Sequence, residues 1–342
     1  MLAEMVRQGV RYAVVETSSH GLALHRVSGM AYDVGIVTNI TSEHLEFHGT
    51  VEQYRRDKAR LFEGLDPAAG KGLGTKKAAI LNRDDSSYEY LLPFCRVPVL
   101  TYAIEQPADI RAVDLALSGE RSRFRVVTPI GEVQIDTPLI GRFNVYNCLA
   151  TIAAGYTQGI SLENMAETLV RLKGIPGRME RIDCGQPFTV IVDYAHTPDS
   201  LEQVFRLLRP LTPGRIIAVF GSAGERDTQK RPKQGAISAR LADLTFLTDE
   251  DCREEDPQKI LDEIAAGALE AGAEPGKNLW PIVDRRQAIA AAFDAACPGD
   301  TVLLAGKGHE HCIIVGREML PWDEREVARE LLRERWTTAR QP

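Results

Sequence analysis

The feature that most constrains this chain is a regular alternation of strands and helices between residues 189 and 333. Apolar, β-branched runs that predict strands alternate with stretches whose apolar residues have helical spacing. Such alternation predicts βαβ units and a mostly parallel sheet covered by helices. The predicted elements are strand Thr189–Asp193, helix Asp199–Leu208, strand Arg215–Gly221, helix Lys233–Ala242, strand Leu244–Thr248, helix Pro257–Ala271, a short strand near Trp280–Val283, helix Arg285–Ala296, strands Thr301–Ala305 and Cys312–Val315, and helix Asp323–Arg333.

The N-terminal half begins in the same style and then changes to short strands separated by turn residues. Its predicted elements are helix Leu2–Gln8, strands Tyr12–Glu16 and Val34–Asn39, helix Val51–Phe62, strand Ala78–Leu81, short strands Val97–Tyr102, Asp114–Ser118, Arg123–Val127 and Val133–Thr137, and helix Tyr146–Gln158. Glycine and proline then punctuate the chain at residues 174–177. We therefore predict two domains, residues 1–175 and residues 176–342.

Composition excludes several classes of protein. The 342 residues carry 41 basic and 48 acidic side chains, a net charge of −7, with no basic stripe that would bind nucleic acid. No apolar run approaches the roughly 20 residues of a membrane span, and the first residues do not form a secretory signal. The six cysteines are scattered without a C-x-x-C pair, which disfavours disulfides and structural zinc. We expect a cytoplasmic monomer that binds neither nucleic acid nor membrane.

Polar clusters follow four predicted strands of the C-terminal half. Ligands of open α/β sheets bind outside the carboxyl ends of the strands, so four clusters along one edge indicate a site. The clusters are Asp193-Tyr194-Ala195-His196, Gly221-Ser222-Ala223-Gly224-Glu225-Arg226-Asp227, Asp249-Glu250-Asp251-Cys252-Arg253 and Gly306-Lys307-Gly308-His309-Glu310.

Histidines concentrate near the N-terminus, where His20, His25, His44 and His48 lie within the first 48 residues. Each by itself could be an ordinary surface or core histidine. Together with Glu16 and Glu43 they suggest a cation site, and oxygen and nitrogen ligands without thiolate favour Mg²⁺ or Mn²⁺. The spacing of His44 and His48 would also fit zinc, and that alternative stays open here.

A series of further motifs runs in order along nearly the whole chain. The motifs are Val15 to Leu22, Thr38 to Gly49, Tyr54 to Phe62, Gly141 to Asn147, Pro176 to Glu180, Asp193 to Pro198, Arg226-Asp227 with Lys230-Arg231-Pro232, and Gly306 to Glu310. Together they resemble the motifs of the Mur ligase family, in the branch that adds the third residue of the peptidoglycan stem peptide.

The resemblance implies an α/β fold of two parts. One is a Mur ligase central domain, here incomplete, with a mostly parallel sheet and a small antiparallel part, and the other is a C-terminal Rossmann-like, doubly wound domain. It also implies a reaction in which ATP phosphorylates a carboxylate of a UDP-muramoyl-dipeptide precursor and the amino group of a diamino acid displaces the phosphate. The protein would act by positioning its substrates and neutralising phosphate charge.

The resemblance also assigns residues. Magnesium would be held by Glu16, His44 and a carbamylated Lys58, which form the catalytic set. Precursor contacts would come from Ser18 and Arg26, and ATP contacts from Asn147, Arg178 and Asp193. The amino-acid pocket would comprise Arg226, Asp251, Arg253, Gly306 and Glu310, with arginine suited to a carboxylate and Glu310 to the distal ammonium.

One departure bears on the acceptor amino acid. Where the diaminopimelate-adding branch carries D-N-P-R, this chain reads Glu250-Asp251-Cys252-Arg253. Retention of Arg253 favours diaminopimelate, whose distal carboxylate lysine lacks. Asp251 in place of asparagine adds an anion, which would tolerate or prefer a more positively charged substrate. Diaminopimelate and lysine therefore both remain open.

A second departure concerns ATP. The family carries a G-T-N-G-K-[TS]-type phosphate loop, and no G-x-x-x-x-G-K-[ST] motif occurs in residues 1–342. The glycine- and lysine-rich segment 70–77 follows a helix and precedes a strand, the reverse of a phosphate loop, so we interpret it as a surface loop. We expect an N-terminally truncated ligase that is inactive by itself. The alternative is a non-catalytic binding or sensor protein that keeps the ligase fold.

Overall fold

The computed structural model describes residues 2–40, 45–68, 76–172 and 174–336. The chain divides into two compact units, one formed by residues 1–113, 126–133 and 146–165 and the other by residues 114–125, 134–145 and 166–342. The domain boundary expected after residue 175 stays a prediction. Within the described ranges, no helix is long and apolar enough to cross a bilayer.

Residues 2–171 form seven helices and six strands within the described ranges. These are α1 (Leu2–Arg7), α2 (Ser19–Ala23), β1 (Val34–Val37), α3 (Leu45–His48), α4 (Val51–Glu63), β2 (Ala78–Asn82), α5 (Tyr88–Leu91), β3 (Val99–Ala103), β4 (Ile110–Leu117), β5 (Ser122–Thr128), β6 (Gly131–Thr137), α6 (Arg142–Thr157) and α7 (Leu162–Arg171). Strands β1 to β4 pair in parallel, with Ile36 opposite Ile80 and Ile80 opposite Leu100. Strands β5 and β6 continue the same sheet in chain order.

The predicted strand Tyr12–Glu16 is wrong. These residues belong to no strand or helix, and the side chains of Tyr12 and Val14 are exposed. A strand exists only where its amide and carbonyl groups pair with a neighbour. The sheet order begins with β1, which pairs with β2 alone among the described strands. The apolar alternation of this segment therefore indicated a strand that finds no partner in the described residues.

Several short elements were not predicted. Helix α7 has a clear signal that was overlooked, since Leu162, Met165, Ala166 and Leu169 have amphipathic spacing and are all buried. Helix α2 spans five residues and carries no such periodicity. The strand Glu318–Pro321 has only exposed side chains, so the burial pattern that marks a strand is absent from it.

The remaining chain builds the doubly wound sheet that the sequence predicts. Its elements are β7 (Glu180–Ile182), β8 (Thr189–Asp193), α8 (Pro198–Leu208), β9 (Ile216–Phe220), α9 (Lys230–Leu241), β10 (Leu244–Leu247), α10 (Pro257–Glu270), β11 (Leu279–Pro281), α11 (Arg285–Ala295), β12 (Thr301–Ala305), β13 (Cys312–Val315), β14 (Glu318–Pro321) and α12 (Glu324–Trp336). The strand order is β11-β10-β9-β12-β8-β7, and only β7 runs antiparallel. Strands β13 and β14 form a separate antiparallel hairpin.

Both faces of this second sheet are buried, because successive side chains of a strand point to opposite faces. On β9, Phe220 packs in one apolar cluster with Phe205 and Ile264. The preceding Val219 packs on the other face with Phe293. All five residues of β9 and of β12 are buried, which explains why these strands read as continuous apolar runs.

Helices α9 and α10 cross at two glycines. A methyl group on Gly235 would lie 1.9 Å from the carbonyl oxygen of Ile264, and one on Gly267 would lie 1.9 Å from the carbonyl oxygen of Pro232. Backbone cannot yield as a flexible side chain can, so the close approach of these helices requires glycine at both positions.

We expect Gly267→Ala to destabilise the protein by about 1–3 kcal/mol, because the added methyl overpacks the crossing. Urea unfolding of the variant measures this loss. Lys259→Ala, on the exposed face of the same helix, is the control and should change stability by less than about 0.5 kcal/mol. Equal stability of the two variants would contradict the glycine-dependent crossing.

Candidate functional site

The polar loops after β8, β9, β10 and β12 meet at one edge of the second sheet. The Gly224 amide, after β9, donates to the Asp251 carbonyl, after β10, at 2.8 Å. The Lys307 ammonium, after β12, lies 2.9 Å from the Asp251 carboxylate. The Tyr194 hydroxyl, after β8, donates to Glu310 at 3.4 Å. The structure thus brings together the four clusters that the sequence singled out.

Lys307 is the buried centre of this edge. Gly306 and Gly308 both have positive φ, +103° and +49°, so the chain reverses around the lysine, which is 1 % exposed. Its Nζ lies 2.9 Å from Asp251 Oδ1 and 2.7 Å from Glu310 Oε2. Burial opposes the charge, yet hydrogen bonds to Glu310 and Asp251 hold the pKa of Lys307 above its ordinary value. The ammonium is therefore charged and shared by two carboxylates.

Asp251 faces inward rather than toward solvent. Its Oδ1 accepts the Lys307 ammonium and the Ile314 amide, the latter at 2.9 Å, and the residue is 8 % exposed. From the sequence, Asp251 was predicted to add an anion to the amino-acid pocket. The structure pairs that charge with a lysine of the protein itself.

Arg253 is held by the hairpin. Its backbone has φ +54°, its amide donates to the Ile314 carbonyl at 3.0 Å, and its carbonyl accepts the Gly316 amide at 2.7 Å. Its Nε is buried and has no hydrogen-bond partner in the part of the chain that the structure describes. A buried, unpaired donor costs about 1–3 kcal/mol, so this guanidinium is suited to receiving an external acceptor. Arg226 is exposed in the loop after β9.

Gly306 adjoins a buried carboxylate that the sequence reading left unassigned. A methyl group on Gly306 would lie 2.6 Å from Glu250 Oε2. Glu250 is 5 % exposed, and this oxygen has no partner among the described residues. Nearby, Arg285 and Glu324 form a fully buried ion pair at 2.6 Å. Burial opposes the charge of Arg285, but Glu324, Glu250 and Asp249 together raise its pKa.

The expected ATP contacts Arg178 and Asp193 lie close to Tyr194. The Asp193 carboxylate accepts the amides of Met179 and Ala195, each at 2.8 Å, and is 6 % exposed. Burial raises the pKa of Asp193, although both amides oppose the shift. The Arg178 guanidinium lies 4.4 Å from the centre of the Tyr194 ring. Asp193 thus fixes the backbone that carries Arg178, and its contact with ATP stays a prediction.

Asn147, the third expected ATP contact, belongs to the first unit and is exposed on α6. The preceding residue, Tyr146, donates its hydroxyl to Asp84 at 2.8 Å. Asp84 follows β2, and the same carboxylate accepts the amides of Ile104, Glu105 and Gln106 at 2.7, 2.9 and 2.8 Å. Burial acts to raise the pKa of Asp84, but these four hydrogen-bond donors outweigh it and lower the pKa. Asp84 therefore ties the start of α6 to the carboxyl ends of β2 and β3.

A carboxyl group whose pKa is lowered by folding stabilises the protein above its unfolded pKa and loses that contribution as the pH falls. We expect wild-type stability to fall from about pH 5 downward partly for this reason, and the Asp84→Asn curve to be flatter there. Urea unfolding at a series of pH values measures the free energy of unfolding of both proteins and tests this expectation. Asp66→Asn, at an exposed aspartate, should keep the wild-type slope. Parallel curves for wild type and Asp84→Asn would contradict the assignment.

The expected magnesium and precursor residues lie near α2 and α4. Glu16 and Arg26 are exposed, and Ser18 caps α2 by accepting the Gly21 amide at 3.1 Å. Lys58 is half-buried on α4, with its Nζ 5.2 Å from the centre of the Tyr54 ring. These positions lie in the same unit.

His44 and Glu43 lie outside the described residues, as does most of the glycine- and lysine-rich segment 70–77. Among the residues that the structure does describe, no group of three histidine, cysteine, aspartate or glutamate side chains could hold a metal ion. The magnesium set of Glu16, His44 and Lys58, and the carbamylation of Lys58, therefore stay predictions.

His48 is fully engaged inside the protein. Its Nδ1 lies 2.9 Å from Asp57 Oδ2 and its Nε2 lies 2.9 Å from Ser19 Oγ. All three residues are buried. A histidine with both ring nitrogens bonded is a structural group, which argues against the zinc alternative. Asp57 was not predicted as the partner of His48, although its three-residue spacing from buried Tyr54 indicated the inner face of α4.

A doubly wound sheet with charged loops along its carboxyl edge defines an α/β ligand-binding protein. Two family models match the sequence: the Mur ligase middle domain over residues 1–155, and the Mur ligase, glutamate ligase domain over residues 177–308. The chain belongs to the Mur ligase family.

Several relatives with named activities agree with this membership. A UDP-N-acetylmuramyl-tripeptide synthetase of Roseiflexus sp. is 50% identical over 98% of this chain and 67% of its own length. A UDP-N-acetylmuramoyl-L-alanyl-D-glutamate--2,6-diaminopimelate ligase of Geobacillus kaustophilus is 42% identical over 97% of this chain and 67% of its own length. A solved structure of such a diaminopimelate ligase is similar with a TM-score of 0.61 at 32% identity, covering 97% of this chain and 66% of that one. The chain spans about two thirds of the length of these relatives.

Proposed function

We propose that the native protein is a cytoplasmic, monomeric, ATP-dependent ligase that adds diaminopimelate or lysine to UDP-N-acetylmuramoyl-L-alanyl-D-glutamate. The observation that carries this proposal is the presence of opposite charges in loops along one sheet edge. The Arg253 Nε is buried without a hydrogen-bond partner among the described residues, and Glu310, with a side chain 34% exposed, lies in the loop after β12. A zwitterionic amino acid requires both charges. The names of the 50% and 42% identical relatives support the same chemistry.

The proposed reaction forms one amide and cleaves one phosphoanhydride. A carboxylate oxygen of the precursor attacks the γ-phosphorus of ATP, and ADP leaves with the electron pair of the broken bond. The amino group of the acceptor then attacks the acyl phosphate, loses a proton, and expels inorganic phosphate. The task of the protein is to hold three substrates in line and to stabilise phosphate charge.

The three substrates are bound by three different groups of residues. Arg253 binds the acceptor carboxylate and Glu310 the distal ammonium, with Arg226 and Gly306 completing the pocket. ATP is bound by Asn147, Arg178 and Asp193. Asp193 contributes by holding the backbone amides of Met179 and Ala195 with its carboxylate. The precursor contacts are Ser18 and Arg26, which both lie at α2 or just beyond it.

Magnesium would be held by Glu16, His44 and Lys58, where it would neutralise phosphate charge. Carbamylation would convert the Lys58 ammonium, which would repel the ion, into an anion that attracts it. Lys58 lies half-buried on α4, in the same unit as Glu16.

Arg253→Ala should weaken acceptor binding by about 2–5 kcal/mol, or roughly 30-fold to several-thousand-fold, because the ligand carboxylate loses its desolvated partner. Calorimetric titration of diaminopimelate and lysine into the protein purified from its native gene, with precursor and an ATP analogue present, measures this loss. Arg317→Ala is the matched control, since Arg317 is exposed on the β13–β14 turn and should leave both affinities unchanged.

The preferred acceptor follows from the same titration. Retention of Arg253 favours diaminopimelate, which would bind more tightly than lysine. If lysine binds at least as tightly and Arg253→Ala changes neither affinity, the pocket assignment is wrong. If both amino acids bind but phosphate is never released, the protein is the non-catalytic sensor rather than a ligase.

Residues 1–342 contain no phosphate-loop motif, so we expect this polypeptide by itself to release no phosphate from ATP when precursor and amino acid are supplied. A coupled phosphate assay measures turnover, and Lys58→Ala is its control. Phosphate release that disappears in Lys58→Ala would show that these residues suffice for catalysis.

A further inference from the structure

The side chains of Asp251, Lys307 and Glu310 form one charge group. Lys307 Nζ is the shared contact, 2.9 Å from one carboxylate and 2.7 Å from the other. With the lysine and both carboxylates ionised, the group has a net charge of −1. The two carboxylates differ in exposure, since the Asp251 side chain is 11% exposed and that of Glu310 is 34% exposed. The excess negative charge therefore reaches the surface through Glu310.

We propose that Asp251 is a positioning residue whose charge compensates Lys307, so that Glu310 keeps its own negative charge for the distal ammonium of the acceptor. This inference rests on the proposed function, in which Glu310 meets that ammonium. We assign Asp251 no direct contact with the acceptor, because its Oδ1 is engaged by Lys307 and by the Ile314 amide and its side chain is only 11% exposed.

The physical argument is a charge balance. A buried ammonium needs an anionic partner, because moving an unpaired charge out of water is strongly unfavourable. If Asp251 were neutral, Glu310 would be the only carboxylate bonded to Lys307, and the pair would present no net charge to a ligand. At separations of a few ångströms and an effective dielectric constant of about 20, one charge more or less changes binding measurably. Asp251 thus determines how strongly Glu310 attracts an amine.

Neighbouring acids do not supply this balance. Glu250 and Asp249 act on Arg285, whose pKa they raise together with Glu324. The Lys307 ammonium contacts Asp251 and Glu310. Glu250 and Asp249 also remain unchanged in every variant below, so their effects cancel when the variants are compared.

Four proteins expressed from the native gene test the proposal: wild type, Asp251→Asn, Lys307→Met and the double variant. The charge of the group is −1 in wild type, 0 in Asp251→Asn and −1 again in the double variant. We expect the acceptor KM of Asp251→Asn to rise about tenfold with kcat within about twofold, and the KM of the double variant to return to within about threefold of wild type. Simple loss of structure would instead make the double variant worst.

The control is Asp262→Asn, which removes the same charge from an exposed position on α10 and should leave KM unchanged. An Asp251→Asn KM within twofold of wild type overturns the proposal, as does a double variant no better than Asp251→Asn. If Lys307→Met and the double variant do not fold, Asp251→Asn, which keeps the shape of the side chain, decides alone.

Failure of the proposed function has a different signature, because wild type itself would then show no acceptor-dependent phosphate release. In that case urea unfolding of the same four proteins decides the charge balance. We expect Lys307→Met to be the least stable, and adding Asp251→Asn to it to restore stability, since the second change removes an uncompensated carboxylate. Additive losses would refute the pairing of Asp251 with Lys307.

Discussion

The ammonium of Lys307 lies between Asp251 and Glu310, and this contact joins the loop after β12 to the loop after β10. The Asp251 carboxylate extends the connection to the hairpin through the Ile314 amide. Buried charges are stable when they are paired and hydrogen-bonded, and the observed arrangement of these loops satisfies Lys307, Asp251 and Glu310 together. The positions of Arg253 and Glu310, the two residues proposed to bind the acceptor, depend on that arrangement.

Close backbone packing supports the ion pair. A methyl group on Gly177 would lie 2.2 Å from the backbone of Gly308, and one on Gly224 would lie 2.0 Å from the Cys252 carbonyl oxygen. The loops at this edge therefore touch main chain to main chain. Such contact leaves little room for adjustment of the loops that carry the residues proposed to bind the acceptor.

In the first unit, hydrogen-bonded side chains connect segments that are distant in sequence. There, two buried or partly buried polar groups connect its segments: His48, bonded to Asp57 and Ser19, and Asp84, bonded to three amides and Tyr146. Both groups lie next to residues with proposed roles, since Asp57 precedes Lys58 and Tyr146 precedes Asn147. Neither His48 nor Asp84 is expected to touch a substrate, so their effect on function is to hold those neighbours in place.

The sequence by itself determined the fold class, because periodic apolar burial and turn residues are local properties of the chain. Its motifs, which are local too, identified the family, and that resemblance implied the doubly wound architecture of the second unit. It also placed Arg253 and Glu310 at the correct strand ends. It failed at Tyr12–Glu16, since a strand depends on a partner that no local pattern reveals. Only the tertiary structure showed that Asp251 pairs with Lys307 and that His48 is bonded at both nitrogens, because the groups that pair with a buried charge or a ring nitrogen are distant in sequence and are brought together by the packing of separate elements.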